Sequence, residues 1–326
     1  MLRDNQMYYN AETQWLVVKG LIAKNLKAHP VQPRPKRGEF LAARFDDLAG
    51  NTTIGCHLGE MPGEKNIGHR HVDEAIIYMV TGSGYSLLYN QDNTRNWPQQ
   101  HKVEWHEGSL LVIPANAYHQ HFNAHPGMPV RQLAIKNVPL LRKIFNSSDV
   151  IYANAFRFFD RYNDEPDYFT RSERVGERQM KTNFVKDLRT VPLDPGPERG
   201  EGVSAMFFDM GGMQTLRPHV TELAPGGRTA PHRHLREELI HVLTGRGYTR
   251  IWQDGGPEIK VEWEAGDLFS PPLNAWHEHV NTDPNASARY YSVESIVLER
   301  LFLNNRFVVE NTFTFSERFN SQLAPT

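Results

Sequence analysis

Apolar residues in this chain recur in short runs rather than in long helical stripes. "AIIYMV" (75–80), "YSLLY" (85–89), "SLLVIP" (109–114) and "VRQLAIK" (130–136) alternate or are apolar throughout, with glycine, proline and asparagine turns between them. Such runs bounded by turn residues predict strands, spaced as in a β-barrel or sandwich. The stretches "TGSGY" (81–85) and "TGRGY" (244–248) read as hairpin turns, because neither opens a helix after a strand and no lysine follows in the P-loop manner. Helix is predicted over "AETQWLVVKGLIAKNLKA" (11–28) and within 145–185, where aromatics mix with dense charge. "HPVQPRPKRGEF" (29–40) reads as an extended arm, "PLDPGPERGEG" (192–202) as a polar linker, and "LERLFLNNRFVVENTFTF" (298–315) as a second arm.

The strand pattern occurs twice. His69, His71 and Gly82 match His232, His234 and Gly245 at an offset of 163, as do Phe45-Asp46 and Pro62-Gly63 with Phe208-Asp209 and Pro225-Gly226. Further on, "VEWHEGSLLVIPANAYHQHFN" (103–123) matches "VEWEAGDLFSPPLNAWHEHVN" (261–281) at an offset of 158, which Arg131 and Arg289 keep. A repeat of this kind means two copies of one unit. It divides the chain into an N-terminal helix and arm (1–44), a first barrel (45–140), a helical, charged linker (141–200), a second barrel (201–297) and a C-terminal arm (298–326).

Composition adds exclusions. The 36 Lys and Arg are balanced by 38 Asp and Glu, so no positive field recommends nucleic acid or an anionic membrane as partner. One cysteine, Cys56, excludes an intrachain disulfide and a thiolate metal cluster and suits a reducing compartment. "MLRDNQMYYN" lacks the apolar run of a signal peptide, and no stretch has the length to cross a bilayer. The expectation is a soluble, cytoplasmic protein.

In an extended strand alternate side chains share a face, so His69 and His71 converge, as do His232 and His234. His119 and His277, each after a proline turn, arrive from a later strand to complete one face of a coordination sphere. Glu238, four residues after His234, shares that face in the second repeat. Ala75 holds the equivalent place in the first, while Glu74 faces away unless the strand bulges. Such a donor set suits iron, manganese or another divalent ion, with positions left open for substrate or oxygen.

His121 and His279 lie two residues beyond the ligand histidines and face the same way. They either orient substrate and shuttle protons or are satisfied core histidines. Arg131 and Arg289 either clamp a substrate carboxylate or close a salt bridge at the barrel rim. Tyr118 and Trp276 are expected to face outward, and Trp105 and Trp263 to belong to the core.

"GGRTAPHRHLREELIHVLTG" resembles the first signature of the cupin superfamily, carried here by Gly226, His232, His234, Glu238 and Gly245. "GDLFSPPLNAWHEHVN" is similar to the second, through Gly266, Pro272, His277 and Asn281, with Asn274 where the family often has glycine. The first repeat matches through Gly63, His69, His71, Gly82, Gly108, Pro114, His119 and Asn123, and departs only where the glutamate belongs. The chain therefore resembles a bicupin. That implies an all-β fold of two tandem cupin (double-stranded β-helix, jelly-roll) barrels with a few flanking helices.

Fold alone does not choose among cupin functions. Three histidines without the glutamate resemble gentisate 1,2-dioxygenase and its relatives, which implies Fe(II) bound by a histidine triad. The function implied is a mononuclear non-haem dioxygenase using dioxygen on a small oxygenated, aromatic or anionic substrate, in a chain that self-associates. The alternatives are a decarboxylase, isomerase or lyase using Mn(II), Zn(II) or Ni(II) at His232, His234, Glu238 and His277, and a binding protein without catalysis.

Overall fold

The computed structural model describes residues 16–34, 39–90, 100–301 and 309–311. Each repeat closes into two facing layers of strands. In the first, Leu41–Leu48, Gly55–Met61, Val130–Lys136, Ala75–Thr81 and Leu110–Ile113 lie side by side, and Tyr118–Asn123, Ser83–Tyr89 and His101–His106 form the facing layer. The second builds the same order from Gly200–Asp209, Leu216–Thr229, Ala288–Ser295, Glu238–Thr244 and Leu268–Phe269, facing Trp276–Asn281, Arg246–Trp252 and Ile259–Glu264. The period of two is visible in Tyr118–Asn123, where His119, His121 and Asn123 are buried and Tyr118, Gln120 and Phe122 only half-buried. At the hairpin turn Gly82 and Gly245 both take φ +81°, and a Cβ on Gly245 would stand 2.6 Å from Ala288 Cα, so only glycine makes this turn.

The helix expected over 11–28 is not formed in its described part. Residues 11–15 lie outside the described residues, and the chain then runs as the strand Leu16–Gly20, parallel to Leu41–Leu48, and the strand Ile22–Ala23. Two β-branched residues, Val17 and Val18, and a glycine at φ +103° explain why pairing wins over helix. Between the barrels, α-helix is confined to Val138–Phe145 and Ser148–Tyr152; the linker then continues as strands Ser172–Gly176, Gln179–Thr182 and Phe184–Val185 and a 3-10 turn Pro197–Arg199. Of the C-terminal arm, a short helix Val297–Leu301 and a strand Val309–Asn311 are described, the latter pairing with His232–His234; the rest lies outside the described residues.

The segments leading into the barrels are exchanged. Ile22–Ala23, which precedes the first barrel, pairs with Leu268–Phe269 of the second, while Phe184–Val185, which precedes the second, pairs with Leu110–Leu111 of the first. Leu26 N donates to Gly266 O at 2.7 Å and Leu188 N to Gly108 O at 2.9 Å. The segments 22–33 and 184–195 are thus one more repeated element, with Lys24, Leu26, Pro30 and Pro33 matching Lys186, Leu188, Pro192 and Pro195.

The barrels share one apolar core across this junction. Tyr78 and His241 occupy the same position of the two repeats and lie 5.0 Å apart, ring centre to ring centre, which puts a local twofold axis between them. Glu74 follows the same symmetry. It accepts hydrogen bonds from Gln214 N (2.6 Å), Thr215 N (2.9 Å) and Thr215 Oγ1 (2.6 Å), while Glu237 accepts from the backbone and hydroxyls of Thr52 and Thr53 at 2.6–2.8 Å. Glu74 is therefore the counterpart of Glu237, a staple between barrels, and not a displaced metal ligand.

Candidate metal centres

Register brings each histidine set together. His69 and His119 form an antiparallel bridge, as do His232 and His277, so the strand carrying HxH lies beside the strand carrying the third histidine. In the first barrel the ring centres of His69, His71 and His119 are 4.4–5.6 Å apart; in the second those of His232, His234 and His277 are 4.2–5.8 Å apart. In both, one nitrogen of each ring lies within 4.8 Å of the others.

Hydrogen bonds fix which nitrogen faces inward. The Nδ1 atoms of His69, His119, His232 and His277 lie 2.8–3.1 Å from the carbonyl two residues before, and those of His71 and His234 lie 3.3 and 2.9 Å from the carbonyl two residues after. A carbonyl only accepts, so Nδ1 carries a proton in all six and Nε2 is the atom left to take a metal. Among the described residues His277 Nε2 is buried with no hydrogen-bond partner. Burial pushes His277 down to about 4 and holds His119 and His232 well below the ordinary imidazole value, with neighbouring histidines adding to the effect, so these three rings stay neutral, as metal ligands must be. Both triads fit a divalent cation.

The two centres differ in charge. In the second, Glu238 stands 3.5 Å from His234 Nε2 and is buried. Burial would raise its carboxyl, but the hydrogen bond and charge of His234, with His219, hold it below the usual range. In the first, Ala75 leaves that space to Lys136, whose Nζ lies 2.9 Å from His71 Nε2 and 3.4 Å from Asp73. Asp73, 3.1 Å from His71 Nδ1, would be raised by burial, but His71 and Lys136 outweigh that and hold it well below the carboxylate range. The buried pair is inverted in the second barrel, where Arg236 replaces Asp73 and Glu294 replaces Lys136, at 3.4 Å.

A cavity of about 90 Å3 opens on the first triad. Ala75, Gln132 and Ala134 leave the space; four cations, Arg34, Arg44, Lys136 and Arg142, and one acid, Asp46, give it charge. At the matching positions of the second barrel stand Glu238, Tyr290 and Ser292, with Phe207 in place of Arg44, so those positions carry larger and less cationic side chains.

His121 and His279 face the interior but are built differently from the ligands. Trp105 Nε1 donates to Ser86 Oγ (2.9 Å), and Ser86 Oγ lies 2.7 Å from His121 Nδ1; Trp263, Thr249 and His279 repeat this at 3.0 and 2.8 Å. With the indole already donating, the hydroxyl proton goes to Nδ1, which leaves His121 with Nε2–H, a donor rather than a lone pair. Trp105 and Trp263 thus set a tautomer besides filling core.

Arg131 and Arg289, offered as carboxylate clamps, are not in the cavity. Arg131 bonds Glu60 (2.7 Å) and the carbonyls of Leu26 and His29; Arg289 bonds Glu222 (2.9 Å) and the carbonyls of Leu188, Arg189 and Val191. Each points out of its strand and pins an exchanged segment. Sequence reasoning missed Lys136 and Asp73, whose signal was a charge reversed at both members of one pair between the repeats.

Residues 219–294 match the family model of the cupin domain. The first repeat carries the same strand order and triad. The chain thus has the fold of two tandem cupin barrels. Over 247 residues, 69% of its length, it is 26% identical to 5-aminosalicylate 1,2-dioxygenase of Comamonas sp, and it spans 60% of that relative. Salicylate 1,2-dioxygenase from Pseudaminobacter salicylatoxidans shares the fold at a TM-score of 0.55 and 18% identity, over 77% of this chain and 73% of that chain. Oxalate decarboxylase from Bacillus subtilis shares it at 0.57 and 13%, over 95% and 84%. Among the described residues no helix is long and apolar enough to cross a membrane.

Proposed function

We propose that the chain is a mononuclear non-haem dioxygenase that cleaves a small aromatic ring bearing a hydroxyl and an anionic group, with its catalytic centre in the first barrel. The observation that carries this is the cationic cavity opening on the triad of His69, His71 and His119. The likeness to the aminosalicylate and salicylate dioxygenases agrees with it. Iron(II) held by His69, His71 and His119 supplies Lewis acidity and the one-electron chemistry that dioxygen requires.

The residues of the chain do the rest. Arg34, Arg44 and Arg142 give the cavity a field that draws an anion in and holds it. His121, pushed down to about 3 by burial, with Lys136 and His71 acting the same way, stays neutral and offers its Nε2–H as a fixed donor to a substrate oxygen. Ala75 and Ala134 keep side-chain atoms out of the reacting space.

A second reading, a Mn(II)-dependent decarboxylase in the second barrel, is favoured by the fourth donor Glu238 and opposed by the larger Tyr290 and Phe207 at the positions that Gln132 and Arg44 hold beside the first cavity. A reducing, cytoplasmic setting and self-association belong to the main proposal, supported by the buried thiol of Cys56 and by the exposed apolar side chains of Ile144, Phe145, Phe156 and Phe159. The test is oxygen uptake by the iron-reconstituted chain with salicylate, 5-aminosalicylate and gentisate. His69→Ala should remove one metal equivalent and abolish uptake. Uptake that survives this change, or turnover without oxygen, overturns the proposal.

A further inference from the structure

One rung of the sheet distinguishes the two centres. Lys136 pairs with Ala75 across the ladder between Val130–Lys136 and Ala75–Thr81, and the same rung of the second barrel pairs Glu294 with Glu238. The first barrel has thus exchanged two carboxylates for a methyl group and an ammonium. The side chain of Lys136 is 13% exposed and lines the cavity, so its charge is directed at the site.

The ammonium stands at the one atom a metal needs. His71 Nδ1 is engaged by Asp73, so the 2.9 Å contact of Lys136 is with the Nε2 lone pair. A single lone pair serves either an N–H donor or a cation. A metal on the triad therefore displaces Lys136 from His71, with Asp73 among the neighbours it keeps and the cavity beside it.

We propose that Lys136 is a specificity-determining residue of the first barrel: displaced from His71 when the triad is loaded, its ammonium faces the cavity and pairs with the anionic group of the substrate. This rests on the reading that the first cavity takes an anionic phenol. It assigns the lost glutamate a replacement: where the second barrel supplies a carboxylate to the metal, the first supplies a cation to the ligand that joins it. Lysine suits this role, because a flexible four-carbon stem carries a compact charge between two partners.

The test uses equilibria without turnover, so its failure is separate from failure of oxygen uptake. In the full chain carrying His232→Ala, Zn(II) affinity of the remaining triad is measured by chelator competition, and salicylate and salicylamide are titrated calorimetrically into the zinc-loaded protein. Lys136→Met should bind zinc about tenfold more tightly, since a competing cation is gone, and should lose about tenfold of the preference for salicylate, the equivalent of ~1.4 kcal/mol. Lys136→Arg should keep that preference. Unchanged or weakened zinc affinity in Lys136→Met, an unchanged preference, a Lys136→Arg variant that loses it equally, or no preference in the parent protein each overturns the proposal.

Discussion

Replacing Glu74 by alanine separates a staple from a ligand. The carboxylate is buried, 5% exposed, and accepts three hydrogen bonds from the loop at Gln214 and Thr215. Bonds to a charged acceptor contribute ~1.5–3 kcal/mol each. Three would total about 5–9 kcal/mol if independent, but they share one group and the freed loop regains some water, so about 3–5 kcal/mol is expected. Glu74→Gln, which keeps one acceptor oxygen, should lose about half as much, and Glu237→Ala at least as much as Glu74→Ala because it frees the twofold-related bonds from Thr52, Thr53 and Ile54. Urea unfolding of the metal-free chain gives the stability and elemental analysis the metal content. The expected result is a large loss of stability with both metal equivalents kept on reconstitution. A Glu74→Ala protein that loses one equivalent while its stability falls by less than ~1 kcal/mol would show that Glu74 is a ligand after all.

Three further outcomes rest on the same geometry. Ala75→Glu, which restores a carboxylate opposite Lys136, should retain metal yet lower oxygen uptake at least about a hundredfold by occupying the cavity beside the triad, as measured by kcat/KM with salicylate. Arg131→Ala should cost about 2–4 kcal/mol of stability by freeing Glu60 and the segment at Leu26 and His29, with kcat changed less than about twofold; a large fall in kcat with normal stability would return Arg131 to the active site. The metal-free protein should weaken in acid. Burial holds His277 near 4 and His121 and His279 near 3 in the fold, below the ordinary value of 6.5, so the unfolded chain takes up the extra protons; stability is full above about pH 6.5 and falls steadily toward pH 4, and a flat urea midpoint over that window refutes the assignment of these rings as buried and neutral.

The barrels were legible because hydrophobic alternation and the doubled HxH motif are local signals, and register then had to bring His69 to His119 and His232 to His277. The features that stayed hidden depend on pairing over distance. The stretch at Leu16–Ala23 belongs to a longer run read as helix, and its β-branched residues become decisive only with the partner strands at Leu41–Leu48 and Leu268–Phe269 in place. Arg131 and Arg289 repeat because the exchanged segments they hold repeat, which sequence spacing does not separate from a catalytic reason. Glu74 reads as an off-register ligand until Glu237, adjacent to the true carboxylate donor, shows what that position does.

The crossing of the leaders has a consequence for how such a chain arises and diverges. A lone copy of the unit would present an unfilled edge at Leu110–Leu111 or Leu268–Phe269 and would complete itself only by trading leaders with a twin. Fusing the twins into one polypeptide makes the trade permanent and releases them from having to stay identical. One half can then keep the carboxylate-rich vessel while its sibling empties and reverses its polarity, and neither can be excised without opening the other.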